Sequence, residues 1–308
     1  MDLIDRFENE KKNKTYRRID DKHKLDWYIG YNENEKKSLI LIINDKFIKF
    51  ESTKIIDSKL EKRIDGKLML SFSLIDENYI DIYIKFCEDI ISFSREISKD
   101  ILENILIRWN MWKMTFKNIN KFELNENEIK GLIGELIFLD KIMIPLYGIE
   151  RSIKCWQGPL KYHKDFEIEE NWYEIKTVSD NSLTVKINSV QQLDDKENKN
   201  GELAIIILKE TNKENNDYIT ISKIIDLIDK KIIDLDIKKE FWEKLNYAKY
   251  DFNKEYEKYI YEIHKIKEYK IDNNKFPRIC SNNIKEGIVK VSYEIDIESI
   301  KKFLYKEA

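Results

Sequence analysis

The sequence predicts an α/β protein of two parts, an antiparallel β unit followed by a domain of mixed strands and helices. Three observations carry this. Short β-branched and aromatic runs separated by turn residues fill the stretch from Trp27 to about Ser94. Helical periodicity takes over near Ser94 and persists to Pro145. A wholly apolar run, Leu203-Ala204-Ile205-Ile206-Ile207-Leu208, then stands where a central strand covered on both faces is expected. At roughly 100–200 residues per domain, the 308 residues divide into an N-terminal β-rich domain over 1–95, a connecting helix over 96–124 and a second domain over 125–308.

Residues 1–25 are polar and charged and are expected to form a helix or arm. Leu39–Ile43, Phe47–Phe50, Leu68–Phe72 and Tyr79–Ile84 read as strands of a small antiparallel sheet. Ile101, Ile105, Trp109 and Trp112 recur every three or four residues, the buried stripe of the connecting helix. Asn125 followed by Glu128 reads as a capping box opening the next helix. Leu132, Leu136, Leu139 and Met143 form its stripe, Pro145 is expected to end it, and Gly131 and Gly134 thin one flank for close approach to a sheet. Trp156 to Ile187 is strand-like, residues 220–250 hold one or two amphipathic helices, and Tyr259–Ile271 is ambiguous between strand and helix. A polar turn at Asp272-Asn273-Asn274-Lys275 leads to Phe276-Pro277-Arg278-Ile279; Gly287–Tyr293 reads as a strand before a short final helix.

Composition removes several classes of function. Lys+Arg (55) and Asp+Glu (58) nearly cancel to a net charge of -3. That excludes a globally basic histone-like protein but permits a nucleic-acid enzyme with a local basic groove. Cys87, Cys155 and Cys280 are widely spaced and no C-x-x-C occurs, against a disulfide framework or a thiolate zinc site. No apolar run approaches the ~18 residues of a membrane span, and the N-terminus lacks a signal-peptide pattern; a cytoplasmic location follows. Walker, dinucleotide-binding, H-E-x-x-H and G-x-S-x-G motifs are absent.

The chemistry concentrates between Trp156 and Asp194. Asp165-Phe166-Glu167-Ile168, a polar turn at Glu169-Glu170-Asn171, and Trp172-Tyr173-Glu174-Ile175-Lys176-Thr177 form a β-hairpin pattern. Alternation places Phe166, Ile168, Tyr173 and Ile175 on a core face, and Asp165, Glu167, Trp172, Glu174 and Lys176 on the other. With Glu169-Glu170 as a two-residue turn, Asp165 stands opposite Glu174. Directly opposed like charges destabilise a sheet, so a bound divalent cation is the natural reason for them. The bland reading is a solvated hairpin face with an ordinary ion pair.

A helix bearing Glu135, an Asp on one strand and Glu-x-Lys on the next resembles the PD-(D/E)XK nuclease superfamily and its restriction-endonuclease-like fold. More closely, the chain is similar to a bacterial family grouped with these nucleases and found near restriction-modification and phage-defence genes. The resemblance rests on Gly131-Leu132-Ile133-Gly134-Glu135-Leu136, Trp156-Gln157-Gly158-Pro159, His163-Lys164-Asp165-Phe166, Tyr173-Glu174-Ile175-Lys176-Thr177, Gln192-Leu193, and Phe276-Pro277-Arg278-Ile279 with the strand after it. It spans about residue 125 to the C-terminus. Lys164 stands where the superfamily has Pro, a residue that ligates nothing.

This resemblance implies a mixed sheet flanked by helices, Mg²⁺ (with Mn²⁺ as a substitute) held by Asp165, Glu174 and the Ile175 carbonyl, and Lys176 orienting the attacking water. It implies an outer-shell or second-metal role for Glu135, and a phosphate or water contact for Gln192. The implied activity is DNA phosphodiester hydrolysis in restriction or anti-phage defence, with other defence subunits as partners. The alternatives are a catalytically weak DNA-binding or scaffold subunit of a defence complex and a protein-interaction module using the β domain. Many enzymes of this fold pair as homodimers, and no residue pattern here marks an interface. His163 reads as a surface imidazole; Lys161, Lys164 and Lys186 as scattered surface lysines; Trp156 and Trp172 as packing. Arg278 is open between a salt bridge and a phosphate contact.

Overall fold

The computed structural model describes residues 3–8, 15–97, 99–118, 124–194, 200–212, 217–250, 254–272 and 275–308. Residues 1–2 and 9–14 of the expected N-terminal helix or arm, residues 98 and 119–123 of the expected connecting helix and residues 273–274 of the expected polar turn lie outside these. The chain forms two compact units, residues 1–121 and 122–308.

The first unit follows a short helix α1 (Leu3–Glu8) with an antiparallel sheet of β1 (Tyr16–Arg18), β2 (Asp26–Tyr31), β3 (Lys37–Ile43), β4 (Ile56–Lys62) and β5 (Leu68–Leu74). Its strand order is β1-β2-β3-β5-β4. Two helices pack with it, α2 (Ile80–Ser94) and α3 (Ile101–Asn118). Phe72 of β5 meets Phe86 of α2 and Trp109 of α3 with ring centroids 5.1 and 5.0 Å apart. Arg108 and the Trp112 indole N–H both engage the Asp89 carboxylate, which satisfies polar groups beside this aromatic core.

Two strands expected here do not form. Tyr79–Ile84 enters α2, because buried Tyr83, Cys87, Ile90 and Ser94 continue at helical spacing. Phe47–Phe50 is irregular, since β3 just before it is already paired on both sides by β2 and β5.

The second unit opens with α4 (Glu126–Phe138), started by the Asn125–Glu128 capping box. Leu132, Leu136, Leu139 and Met143 are buried. Pro145 does not end the run. A π-helical turn over Leu139–Met143 passes into α5 (Ile144–Tyr147), with Pro145 in its first turn, where a missing N–H costs nothing. Gly148, at φ 79°, makes the break before α6 (Ile149–Cys155).

The main sheet comprises β6 (Phe166–Ile168), β7 (Asn171–Ser179), β9 (Asn200–Glu210), β10 (Tyr261–Ile271) and β12 (Leu304–Glu307) in the order β12-β10-β9-β7-β6. It is mixed: β7 and β9 run parallel, the other pairs antiparallel. The apolar run 203–208 lies in β9, the central strand, and the ambiguous 259–271 stretch supplies β10. Helices α7 (Ile221–Asp229) and α8 (Leu235–Tyr247) lie between β9 and β10 in sequence. A separate antiparallel pair joins β8 (Thr184–Ile187) to β11 (Tyr293–Asp296).

The expected strand Gly287–Tyr293 begins only at Tyr293, because the four residues of β8 give the preceding segment nothing to pair with; Ile288 and Val289 are exposed. The expected final helix is a 3₁₀ turn, Lys301–Phe303, followed by β12.

Candidate active site

The hairpin takes the turn expected. Phe166, Glu167 and Ile168 pair with Tyr173, Trp172 and Asn171, leaving Glu169-Glu170 as the turn. The ladder ends there, and the Asp165 N–H donates to the Tyr173 carbonyl at 3.1 Å, so Asp165 lies at the end of the pairing near Glu174 and not in the expected direct cross-strand pair with it. The Asp165 carboxylate accepts the Ile175 N–H at 2.7 Å. In a strand a residue's N–H and C=O point to the same side, so the Ile175 carbonyl faces Asp165 as well.

Both faces of the hairpin are covered, unlike the expected one buried and one polar face. Trp172 is buried with Val185 and Ile187 of β8, Leu203, Ile205 and Ile207 of β9, and Ile295 of β11. Glu174 and Lys176 share this face, in register with Leu203 and Ile205. Glu174 is therefore only 1% exposed. The opposite face packs on α4: Phe138 lies 5.4 Å from Tyr173, ring to ring. A β-carbon on Gly134 would fall 1.8 Å from Thr177 Oγ1, so only glycine permits this approach. Gly131 has no neighbour within 4 Å of such a carbon and plays no part in it.

Because β6 pairs only with Asn171–Tyr173, the outer edge of β7 is open beyond Tyr173. A cleft of about 640 Å³ lies here, lined among others by Glu135, Asp165, Glu174, Ile175, Lys176 and Gln192. All the predicted site residues thus meet in one place. Lys176 Nζ lies 2.7 Å from Glu174 Oε1 and donates to Gln192 Oε1 at 3.1 Å. Gln192 Oε1 also accepts the Asn188 N–H at 2.7 Å; its carbonyl side is committed to placing Lys176.

Glu135 reaches the site from α4, with Oε2 accepting the Trp156 indole N–H at 2.8 Å. A β-carbon on Gly158 would lie 2.4 Å from Glu135 Oε2 and 3.0 Å from Asp165 Oδ1, so any larger residue there would displace these two carboxylates. His163 is exposed. An Arg278 guanidinium nitrogen donates to the Leu193 carbonyl.

The electrostatics are those of crowded buried carboxylates with too little positive charge beside them. Burial, then Asp165, push the Glu174 carboxyl up to about 8, against the pull of Lys176. Burial and Asp165 hold Glu135 well above the usual carboxylate range, and burial raises Asp165. Glu174 Oε2 is buried with no hydrogen-bond partner. Such an atom costs free energy unless something positive meets it.

Among the described residues no three or more His, Cys, Asp or Glu side chains form a closed metal cage. Mg²⁺ needs none: one or two carboxylates, waters and a substrate phosphate suffice. The all-oxygen set of Asp165, Glu174 and the Ile175 carbonyl is the donor type that suits a hard divalent cation.

Several contributors escaped the sequence reading. Trp156 holds Glu135 and does more than pack. Lys164 is not a loose surface lysine: its ammonium donates to the Gln192 and Asp194 carbonyls, each at 2.9 Å, and sits 3.4 Å from the Trp172 ring centroid. Asn127, Lys130, Gly131 and Glu135 all line the cleft from α4. Their spacing of three, one and four residues is a helical stripe opposite the apolar one, and was the signal available.

The family described as "Putative PD-(D/E)XK family member, (DUF4420)" matches residues 5–298, nearly the whole chain. The chain belongs to this family. The PD-(D/E)XK grouping accords with the mixed sheet flanked by helices, and the family match also covers the N-terminal antiparallel unit. No curated protein and no solved structure matches the chain. No helix among the described residues is long and apolar enough to cross a membrane.

Proposed function

We propose that the protein is a cytoplasmic Mg²⁺-dependent deoxyribonuclease that hydrolyses phosphodiester bonds in restriction or anti-phage defence. Family membership supports the nuclease part. The single observation that carries the metal is the buried Glu174 Oε2 without a partner, beside Asp165 and Lys176.

Asp165, Glu174 and the Ile175 carbonyl would hold the cation, and Glu135 would act from behind Asp165. When bound, Mg²⁺ supplies neutralisation of phosphate charge and a more acidic water. The chain's own residues do the positioning. The Ile175 N–H fixes the Asp165 carboxylate. Gln192 and Glu174 hold the Lys176 ammonium between them, ready to orient the attacking water and face the charge that develops on the phosphoryl oxygens. β8 and β11 cover the Trp172 face and keep bulk water from Glu174.

Plasmid DNA incubated with Mg²⁺ tests the reading. Wild type should cut; Lys176→Ala should cut roughly 10²–10³-fold more slowly, the usual effect of losing one charge-stabilising donor; Asp165→Ala should be inactive. Equal cutting by wild type and Asp165→Ala would refute the assignment.

A further inference from the structure

We propose that Lys130 and Ser179 form a second subsite of this cleft, for a backbone phosphate flanking the one cleaved; this rests on the nuclease reading above. Lys130 projects from α4 and lines the cleft, and its ammonium donates to Ser179 Oγ at the end of β7. Ser179 stands three residues beyond Lys176 on the same strand, roughly 10 Å away at ~3.3 Å per residue. The two lysines thus approach the cleft from opposite faces of β7, and both line it.

The state of each cation near the cleft singles out Lys130. Lys176 is paired with Glu174. Lys164 is spent on two backbone carbonyls and the Trp172 face. Lys186 is exposed to solvent. Lys130 is half-buried, with the Tyr261 ring centroid 5.6 Å from Nζ, and among the described residues no carboxylate forms an ion pair with it. Glu210, Glu126 and Asp180 act on it only through longer-range charge, and burial lowers its pKa. A desolvated ammonium without a counter-ion costs stability, so it is explained best by an anion that arrives with the substrate.

The surroundings supply donors for that anion. Thr177 and Ser179 of β7 flank Lys130, and both line the cleft. The Ile175 N–H points to the open edge of β7, so by strand alternation the N–H groups of Thr177 and Ser179 point there too. The Lys130 ammonium, the Ser179 hydroxyl and two backbone N–H groups near this edge match a phosphate oxygen set. They also explain how a chain of net charge -3 could grip a polyanion locally.

Fluorescence anisotropy with short labelled DNA, as duplex and as single strand, tests this with Ca²⁺ in place of Mg²⁺ to limit cutting. Lys130→Gln should weaken binding about tenfold, one charge-assisted hydrogen bond. It should also reduce the slope of log affinity against log salt by about one. Lys130→Arg should bind within about twofold of wild type. The thermal midpoint of Lys130→Gln should be at or above wild type, and its Mg²⁺ affinity without DNA unchanged. Wild-type affinity and slope in Lys130→Gln would overturn the subsite alone, as would weaker binding with an unchanged slope. A wild type that binds Mg²⁺ but neither form of DNA would overturn the subsite together with DNA as the substrate.

Discussion

Glu174 concentrates the conflict that the site resolves. Its side chain is 1% exposed, and burial with Asp165 raises its carboxyl to about 8. In the metal-free protein this acid keeps a proton over a range where the unfolded chain has lost it. The stability it contributes is therefore complete below its unfolded pKa of about 4.5 and is lost as pH rises through about 8. The unfolding free energy of metal-free protein should fall between about pH 5 and pH 8, by at most about 1.4 kcal/mol per pH unit for this group, and the thermal midpoint should fall with it. Glu174→Gln should flatten the fall, and Mg²⁺ should restore the wild-type midpoint at the alkaline end. Scanning calorimetry across pH decides it; identical profiles for wild type and Glu174→Gln would contradict the buried-acid account.

The element that sets the geometry is the contact of α4 with β7. Gly134 and Gly131 sit one turn apart and should respond oppositely to alanine. Gly134→Ala drives a β-carbon to within 1.8 Å of Thr177 Oγ1 and should cost about 1–3 kcal/mol, as overpacking does. Gly131→Ala meets nothing within 4 Å and should stabilise by up to about 1 kcal/mol, the helix-propensity difference. Denaturant melts of the two variants measure this, and equal shifts would sink the close-contact argument.

What was legible in the sequence at this scale is what local chemistry determines. The Asn125–Glu128 cap, the α4 stripe and the two-residue turn of the β6–β7 hairpin all follow from side chains a few residues apart. What depends on distant partners was not legible. Burial of the Trp172 face needs β8 and β11; the Trp156–Glu135 and Lys164–Gln192 contacts need two chain segments to meet. Tyr79–Ile84 alternates well enough for a strand, and only its continuation at helical spacing to Ser94 makes it the start of α2. Pro145 reads as a stop, but the π-helical turn before it puts it in the first turn of a new helix.

Over the whole molecule, the candidate chemistry belongs to residues 122–308, while residues 1–121 form a unit with its own sheet and aromatic core. The family match covers both, so the N-terminal sheet is part of what defines this kind of chain. The central claim is that the Asp165–Glu174 hairpin holds a divalent cation next to Lys176. Mg²⁺ titration calorimetry on the full chain tests it most directly, comparing wild type with the double variant Asp165→Ala/Glu174→Ala, with and without a short DNA duplex. The account predicts that wild type binds Mg²⁺, more tightly when DNA is present, and that the double variant does not bind. Equal binding by the two proteins, or none by wild type, would contradict it.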